Sequence, residues 1–203
     1  MGKASTAYVW FDTEFTSLNL DEAHMLQVAV MITDCNLKRI TPPVEDLKFY
    51  IRLPDGLPVS DWVEKNLPEL VTQCRSPAAL PADEVDRQLT AYVDRWCGTP
   101  LKTIQKRPIL AGNSVHTDWM LARKYFPTFI NRLHYRLLDV SSLKIQWFDV
   151  FDGKEFDKEN VSIVKKYFPE ADLKRMQRHD AYYDIIASAA ELAYYRKKMN
   201  LTV

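Results

Sequence analysis

Two acidic residues placed two positions apart give the first sign of chemistry in this chain. Asp12 and Glu14 directly follow the apolar run Tyr8–Phe11, whose aromatic and β-branched side chains predict a buried strand. Residues two apart on a strand point to the same face, so the two carboxylates are expected to lie close together. Close carboxylates repel each other unless a proton or a cation neutralises them, and their oxygens suit Mg²⁺ or Mn²⁺. The alternative is a strand end with solvated acids.

Further along the chain, three residues could extend this acidic pair. Asp118 lies at the start of a predicted helix, where the helix dipole alone also favours a carboxylate. Asp184 falls early in the last predicted helix, and His179 lies at or before the first turn of that helix. Residues five apart do not share a helix face, so His179 is expected on the lead-in, where a neutral imidazole could accept a proton from water. His116 and His134 are expected to be surface histidines or satisfied core histidines.

The elements that must position these residues alternate along the chain. Strands are predicted at Tyr8–Phe11, Met25–Ile32, Lys48–Leu53, Pro108–Ala111 and Leu137–Val140. Helices are predicted at Asp83–Trp96, from Thr117 to Phe126, from Ser141 or Ser142 onwards, from Asn160 to Phe168, and from Asp180 to about Met199. Three early strands followed by alternating helices and strands predict an α/β fold in which helices pack on a mixed sheet.

The composition bounds the class of protein. A length of 203 residues predicts one domain, and the 47% hydrophobic and 27% charged residues are typical of globular chains rather than of collagen-like or disordered ones. Lys and Arg together number 27, as do Asp and Glu, and this zero net charge argues against a protein that coats long nucleic acid. The chain has five glycines and no GxGxxG pattern, which excludes a dinucleotide-dependent dehydrogenase.

Cysteine usage and hydropathy indicate the compartment. Cys35, Cys74 and Cys97 form no disulfide framework, so a reducing compartment is expected. No apolar run approaches the roughly 18 residues of a transmembrane helix, and the start resembles neither a secretory signal nor a presequence. We therefore expect no membrane partner and a cytoplasmic location, with a mitochondrial location as the alternative.

Together, the acids and the histidine occur in an order that resembles the DEDDh 3′-to-5′ exonucleases of the ribonuclease H-like superfamily. Two stretches, HYRLLDVS and the tail that contains AELAYYR, are more specific and are similar to the oligoribonuclease family. The matching stretches are Trp10–Leu18, Gly112–Ser114 with Asp118, His134–Ser141, His179–Ile185 and Ser188–Arg196. The resemblance implies a ribonuclease H-like fold with a mixed five-stranded sheet flanked by helices. It also implies a single exonuclease domain over 1–203, with its core at about 8–196.

The resemblance implies an active site with two divalent ions, Mg²⁺ or Mn²⁺, that hold a scissile phosphate. Asp12, Glu14 and Asp184 are expected to bind the first ion. Asp12 is expected to bridge to the second ion, which Asp118 supports, and His179 is expected to take the proton from the attacking water. The implied activity is the hydrolysis of short single-stranded oligoribonucleotides from the 3′ end to 5′-mononucleotides.

Substrate contacts follow from the same resemblance. Leu18 is the expected apolar wedge beside the terminal base, and Trp62 is expected near that base, with a core position as its alternative. In this family a tyrosine comes from a second subunit, so the resemblance implies a homodimer. Four residues are expected to grip the 5′ phosphate of a short RNA: Ser114, Tyr135, Arg136 and Ser141.

Several positions depart from the family pattern. The stretch after Trp62 lacks the histidine that usually joins the phosphate pocket, and Leu67 or a neighbour stands there instead. Ser17 replaces a more frequent glycine, Tyr183 stands where an acid is common before Asp184, and residues 145–176 are divergent. These departures concern the preference for substrate length rather than the metal site.

Two other functions remain as alternatives. A related DEDDh exonuclease would trim longer RNA or DNA 3′ ends, and a non-catalytic module would only bind nucleic acid. Basic clusters lie at 102–107, 174–178 and 196–198. The cluster at 174–178 immediately precedes His179 and could contact the substrate backbone, whereas the other two are equally well explained as solvated basic surface.

Overall fold

A mixed sheet forms the centre of the molecule. The computed structural model describes residues 7–98, 103–172 and 180–201. The strands are β1 (Ala7–Phe15), β2 (Met25–Asp34), β3 (Leu47–Tyr50), β4 (Ile109–Gly112) and β5 (Leu137–Asp139). Their order is β3-β2-β1-β4-β5; the β3-β2 and β2-β1 pairs are antiparallel, and the β1-β4 and β4-β5 pairs are parallel. The predicted mixed five-stranded sheet flanked by helices is confirmed.

Helices cover both faces of this sheet. Within the described ranges they are α1 (Asp61–Asn66), α2 (Pro68–Cys74), α3 (Ala82–Cys97), α4 (Val115–Tyr125), α5 (Pro127–Ile130), α6 (Val140–Phe151), α7 (Val161–Tyr167) and α8 (Ala181–Lys198). Short 3₁₀ segments lie at Pro43–Glu45 and Ile104–Lys106. None of the helices in the described part of the chain is both long and apolar enough to cross a bilayer.

Alternation along β1 divides the core into two layers. Val9 and Phe11 face the layer formed with α3, α4 and α5, whereas Trp10 faces the layer formed with α6, α7 and α8. The middle position of β1 in the sheet leaves little of it exposed, so a side chain near its end is held on a rigid support.

Strand β1 continues past the predicted boundary at Phe11. It runs to Phe15 and pairs Asp12 with Ala29 and Glu14 with Gln27, before a register shift between Glu14 and Phe15. Neighbouring β2 is buried along nearly its whole length and offers backbone partners that extend β1 beyond its own apolar run. The two acids therefore belong to the ladder itself and do not follow it.

Other boundaries also differ from the predictions. Strand β3 ends at Tyr50 rather than Leu53, because Ile51 bridges to Leu80 and the Leu53 N–H donates to the Cys74 carbonyl. Helix α6 begins at Val140 and is capped by Asp139 rather than by a serine, since Asp139 accepts from the Ser141 N–H at 2.9 Å.

Two further differences concern helix starts. Helices α1 and α2 were not predicted; their buried side chains are few and pack beneath the start of β2. Helix α4 begins at Val115, after Ser114 and not at Thr117.

The end of β4 approaches β1 closely. A Cβ atom on Gly112 would lie 2.8 Å from the Phe11 carbonyl oxygen, closer than carbon and oxygen tolerate. Glycine at this position brings the start of α4 against the strand that carries Asp12.

Polar contacts with the sheet hold the first turn of α8 in place. Asp180 caps the helix by accepting from the Tyr182 N–H at 2.9 Å and also accepts from Lys48 Nζ at 2.6 Å. The Ala181 N–H donates to Gln27 Oε1 at 2.8 Å. Strands β2 and β3 thus fix where α8 begins, and with it the position of Asp184.

We predict that Asp180→Ala lowers the free energy of unfolding by about 2 kcal/mol, because it removes a helix cap and leaves Lys48 without its carboxylate. Asp180→Asn keeps the capping oxygen and should lose only about 1 kcal/mol, since Asn caps as well as Asp. Urea unfolding followed by circular dichroism measures both values. Equal losses in the two variants would show that the cap contributes nothing.

Candidate active site

Three carboxylates converge at the end of β1. Asp12 and Glu14 come from β1 and Asp184 comes from the first turn of α8, and one oxygen of each lies within 4.8 Å of the others. Asp12 and Glu14 point to the face of the sheet on which α8 packs, which explains why residues so distant in sequence meet. The expected grouping of these three acids is present in the structure.

Burial and mutual repulsion make this cluster unfavourable as three bare anions. Desolvation, followed by the charges of Asp118 and Asp184, raises the pKa of Asp12 well above its ordinary value. Desolvation and the charges of Asp184 and Asp118 raise the pKa of Glu14 from 4.5 to about 8. Both residues are only partly exposed and lie within the paired part of β1, which disfavours the alternative of solvated acids at a strand end. Such a cluster binds protons or a cation, and its all-oxygen donor set suits a hard divalent ion.

Asp118 approaches the cluster from the other face of the sheet. It lies in the first turn of α4, is 5% exposed, and accepts a hydrogen bond of 2.6 Å from Thr13 Oγ1. Desolvation raises the pKa of Asp118 to about 7, although the Thr13 hydrogen bond opposes that rise. Asp118 stands outside the group of three close carboxylates, yet its charge raises the pKa of Asp12 and of Glu14.

The expected proton acceptor lies outside the described residues. His179 and the basic cluster at 174–178 fall between 173 and 179, and the described chain resumes at Asp180. His134 is buried and its Nδ1 accepts from the Arg136 N–H at 2.8 Å, whereas His116 is exposed beside Asp139. The expectation of a satisfied core histidine and a surface histidine is therefore confirmed for this pair.

An apolar cavity opens directly beside the carboxylates. It measures about 580 Å³ and is lined by Glu14, Leu18 and Trp62 among others. Leu18 is 91% exposed and Trp62 is 55% exposed, so the core alternative for Trp62 is wrong. The Ser60 side chain caps α1 by accepting from the Val63 N–H. The Ser60 N–H donates to the Thr16 carbonyl, which connects this helix to the end of β1.

Two serines meet beyond the ends of β4 and β5. The Ser114 N–H donates to Asp139 Oδ1 and to Ser141 Oγ, each at 2.9 Å, and the two serine hydroxyls lie 3.2 Å apart. These contacts hold Ser114 in the left-handed region, at a φ of 49°, which a serine rarely adopts. Parallel strands end at the same edge of a sheet, so the serines share that edge.

The two other expected phosphate contacts lie at the opposite end of β5. Tyr135 and Arg136 precede the strand, whereas Ser141 follows it. Tyr135 and Arg136 are both exposed. The Arg136 guanidinium carbon lies 5.5 Å from the centre of the Tyr135 ring. The Tyr135 ring also stacks on His134, with ring centres 4.5 Å apart. Within one chain the structure thus groups the serines but separates them from this pair.

Three polar residues that the sequence analysis did not single out contact the site. Thr13 lies between the two acids and orients Asp118. Asn113 accepts from Ser141 Oγ, while its amide donates to Glu191 and Ser188 on α8. Lys158 pairs with Asp184 at 3.1 Å. The position of Thr13 inside the acidic motif and that of Asn113 inside the matching stretch Gly112–Ser114 could have identified both, but nothing in the sequence signals Lys158.

Comparisons with known proteins agree with this geometry. A family model described as Exonuclease (RNase_T) matches residues 9–192. The probable oligoribonuclease of Schizosaccharomyces pombe is 30% identical over 199 residues, covering 97% of this chain and 69% of the relative. The oligoribonuclease of Francisella tularensis subsp. tularensis is 29% identical over 194 residues and 94% of both chains. A mitochondrial oligoribonuclease of Bos taurus is 27% identical, covering 94% of this chain and 72% of the relative.

Solved structures share the fold at low identity. The cell-death related nuclease 4 (CRN-4) superposes with a TM-score of 0.66 at 15% identity over 96% of this chain and 64% of that one. Exonuclease I from Methylocaldum szegediense gives 0.65 at 14% identity over 96% of this chain, which spans only 41% of that protein. These likenesses establish the arrangement of sheet and helices.

We predict that the metal-free protein becomes less stable as the pH rises from about 5 to 8. Between the ordinary pKa of 4.5 and the folded value of about 8, Glu14 holds a proton that the unfolded chain releases, so the free energy of unfolding falls with pH. In chelator, the melting temperature of wild type minus that of Glu14→Gln should fall by about 5 °C over this pH range. Saturating Mg²⁺ should abolish the drop. A difference that rises with pH would contradict the raised pKa.

Proposed function

The chain belongs to the Exonuclease (RNase_T) family, and we propose that it hydrolyses short oligoribonucleotides from the 3′ end to 5′-mononucleotides. The observation that carries this proposal is the convergence of Asp12, Glu14 and Asp184, which a fold of otherwise ordinary composition maintains despite the cost of burying like charges. The likeness to oligoribonucleases over nearly the whole chain supports short RNA as the substrate. We also propose that one exonuclease domain accounts for 1–203.

The donor set fits divalent metal ions. Asp12, Glu14 and Asp184 present carboxylate oxygens close enough to share one hard cation such as Mg²⁺ or Mn²⁺. Asp12, whose charge also interacts with Asp118, would link this ion to a second one that Asp118 supports. When bound, two such ions stabilise the attacking and the leaving oxygens of a phosphodiester.

His179 is proposed to accept the proton of the attacking water. This proposal rests on the sequence position of His179, directly before Asp180, which caps α8 and accepts from Lys48 on β3. Nearby carboxylates increase the basicity of an imidazole, and bound cations oppose that effect, which keeps the group able to accept and release a proton.

The apolar cavity is proposed to receive the terminal base. Leu18 and Trp62 offer exposed apolar surface beside Glu14, and an aromatic side chain contributes about 1–3 kcal/mol when a base stacks on it. Every base has such a face, so this contact supports binding without sequence preference.

A homodimer is proposed to complete the phosphate pocket. Ser114, Ser141 and Arg136 offer hydroxyl and guanidinium donors, while Tyr135 stays 63% exposed although its ring stacks on His134. We propose that Tyr135 serves the site of the partner subunit. A cytoplasmic location is proposed, with the mitochondrion as the alternative because one relative is mitochondrial.

One observation favours a second candidate function, the trimming of longer RNA or DNA ends. Leu67, which stands near the usual histidine position, is buried between α1 and α2 and offers no donor to a phosphate. A weaker grip on the 5′ phosphate would reduce the advantage of very short substrates. A binding module without catalysis is disfavoured, because it would have no use for a repulsive carboxylate cluster.

We predict that 5′-labelled RNA of about two nucleotides is cleaved faster than RNA of about 20 nucleotides or matched DNA, in Mg²⁺ or Mn²⁺. Asp12→Asn should lower the rate by about a hundredfold or more, because the ligands act as a unit. Asp55→Asn, at an exposed loop position, serves as the control and should keep full activity. Equal rates on short and long RNA would favour the trimming enzyme, and tight binding without mononucleotide release would favour the module.

The shared site can be tested by mixing two inactive variants. In a heterodimer of Asp12→Asn and Tyr135→Ala, one of the two sites combines an intact Asp12 with Tyr135 of the partner subunit. Co-refolding equal amounts should restore about a quarter of wild-type activity, since half the dimers are mixed and half of their sites are intact. Activity that stays at the level of the separate variants would show that Tyr135 does not act across an interface.

A further inference from the structure

The chain provides a cation of its own at the edge of the carboxylate cluster. Lys158 Nζ lies 3.1 Å from Asp184 Oδ1, although the two residues are 26 positions apart. The lysine side chain is 51% exposed, and the carboxylate is 24% exposed. Within the described ranges, no other Lys or Arg forms an ion pair with Asp12, Glu14 or Asp184.

The charge of Lys158 reaches the whole cluster. It lowers the pKa of Asp12 and of Glu14, against the larger effects of burial and of the neighbouring acids. Desolvation opposes the charged form of Lys158, but Asp184, Glu159 and Asp12 outweigh it and raise the pKa of the ammonium. The lysine therefore places a positive charge beside the proposed metal ligands, 3.1 Å from Asp184.

The backbone of Lys158 is anchored to α8. The Tyr183 hydroxyl donates to the Lys158 carbonyl, and the Tyr194 hydroxyl donates to the Lys154 carbonyl at 2.9 Å. Phe156, between these two contacts, is buried in the core layer around α8. The segment is thus pinned on both sides of a buried aromatic residue, and Lys158 is held where its side chain reaches Asp184.

Two residues of this chain combine in this contact. Lys158 provides the ammonium, and Tyr183 provides the hydroxyl that anchors the Lys158 backbone. A tyrosine hydroxyl can donate a hydrogen bond to a carbonyl oxygen, whereas an ionised carboxylate at that position could not. The ion pair with Asp184 therefore depends on Tyr183 as well as on Lys158.

We propose that Lys158 is an internal counter-ion of the metal site, which neutralises part of the cluster in the metal-free protein and competes with divalent ions for Asp184. This inference rests on the proposed function, because it assumes that the cluster binds metal. An ammonium that donates to Asp184 occupies an oxygen lone pair and repels an approaching cation. A divalent ion carries twice the charge and prevails at sufficient concentration, so loading the site displaces the ammonium from Asp184.

The experiment compares Mn²⁺ binding by wild type and Lys158→Gln, measured by titration calorimetry and by the electron paramagnetic resonance of free Mn²⁺. Lys158→Gln should bind Mn²⁺ about tenfold more tightly, since the repulsion is removed and Asp184 is released. Lys158→Arg keeps the charge and should retain the wild-type affinity. Lys165→Gln removes an equivalent charge at an exposed position of α7 and should also leave the affinity unchanged.

A second measurement separates the counter-ion from a general structural role. In chelator, Lys158→Gln should melt at a lower temperature than wild type, whereas at saturating Mn²⁺ it should melt at the same temperature or higher. Tyr183→Phe, which loosens the anchor without changing any charge, should tighten Mn²⁺ binding about twofold.

The outcomes distinguish this inference from the proposed function. If wild type binds Mn²⁺ and Lys158→Gln binds it with the same or a lower affinity, Lys158 is not a counter-ion, but the metal site stands. Absence of Mn²⁺ binding in wild type and Asp184→Asn alike would overturn the proposed function, and the counter-ion with it.

Discussion

The repulsion among partly buried carboxylates is the constraint on which the rest of this structure depends. Asp12 and Glu14 lie in the middle strand of the sheet and Asp184 enters from α8, so the backbone of each is fixed by a regular element. Desolvation raises the pKa of both β1 acids, which means that the bare cluster stores unfavourable free energy. A bound divalent cation would relieve this repulsion, and its positive charge would also stabilise a bound phosphodiester.

Polar contacts hold the elements that carry the cluster in position. Gln27 on β2 and Lys48 on β3 bind the start of α8, and Thr13 orients Asp118 on the opposite face of the sheet. Gly112 lets the start of α4 approach β1. The elements that carry the acids are therefore fixed by buried or partly buried hydrogen bonds, whereas Leu18, Trp62 and Tyr135 are exposed side chains. This division agrees with a rigid chemical centre and a surface that adapts to different bases.

Residues around the carboxylate cluster set its surroundings. The segment that carries Lys158 places an ammonium beside Asp184, and Tyr183 secures it. Leu67, in the region that follows Trp62, is buried and presents no polar group. The proposed metal affinity and the proposed preference for substrate length therefore depend on residues outside the four acids.

By itself, the sequence predicted the strands of a mixed sheet, because buried strands leave continuous apolar runs. It indicated the set of acids only through the resemblance to the exonuclease family, since Asp118 and Asp184 lie on helices at no fixed spacing from Asp12. It did not show α1 and α2, whose short apolar faces leave little periodicity, nor the extension of β1 to Phe15, which depends on pairing with β2. Only the tertiary structure decided that Thr13 orients Asp118 and that Lys158 reaches Asp184. The physical reason is that charge and hydrogen bonding act over a few ångströms in space, and positions 26 or 105 apart carry no local signal that they will meet.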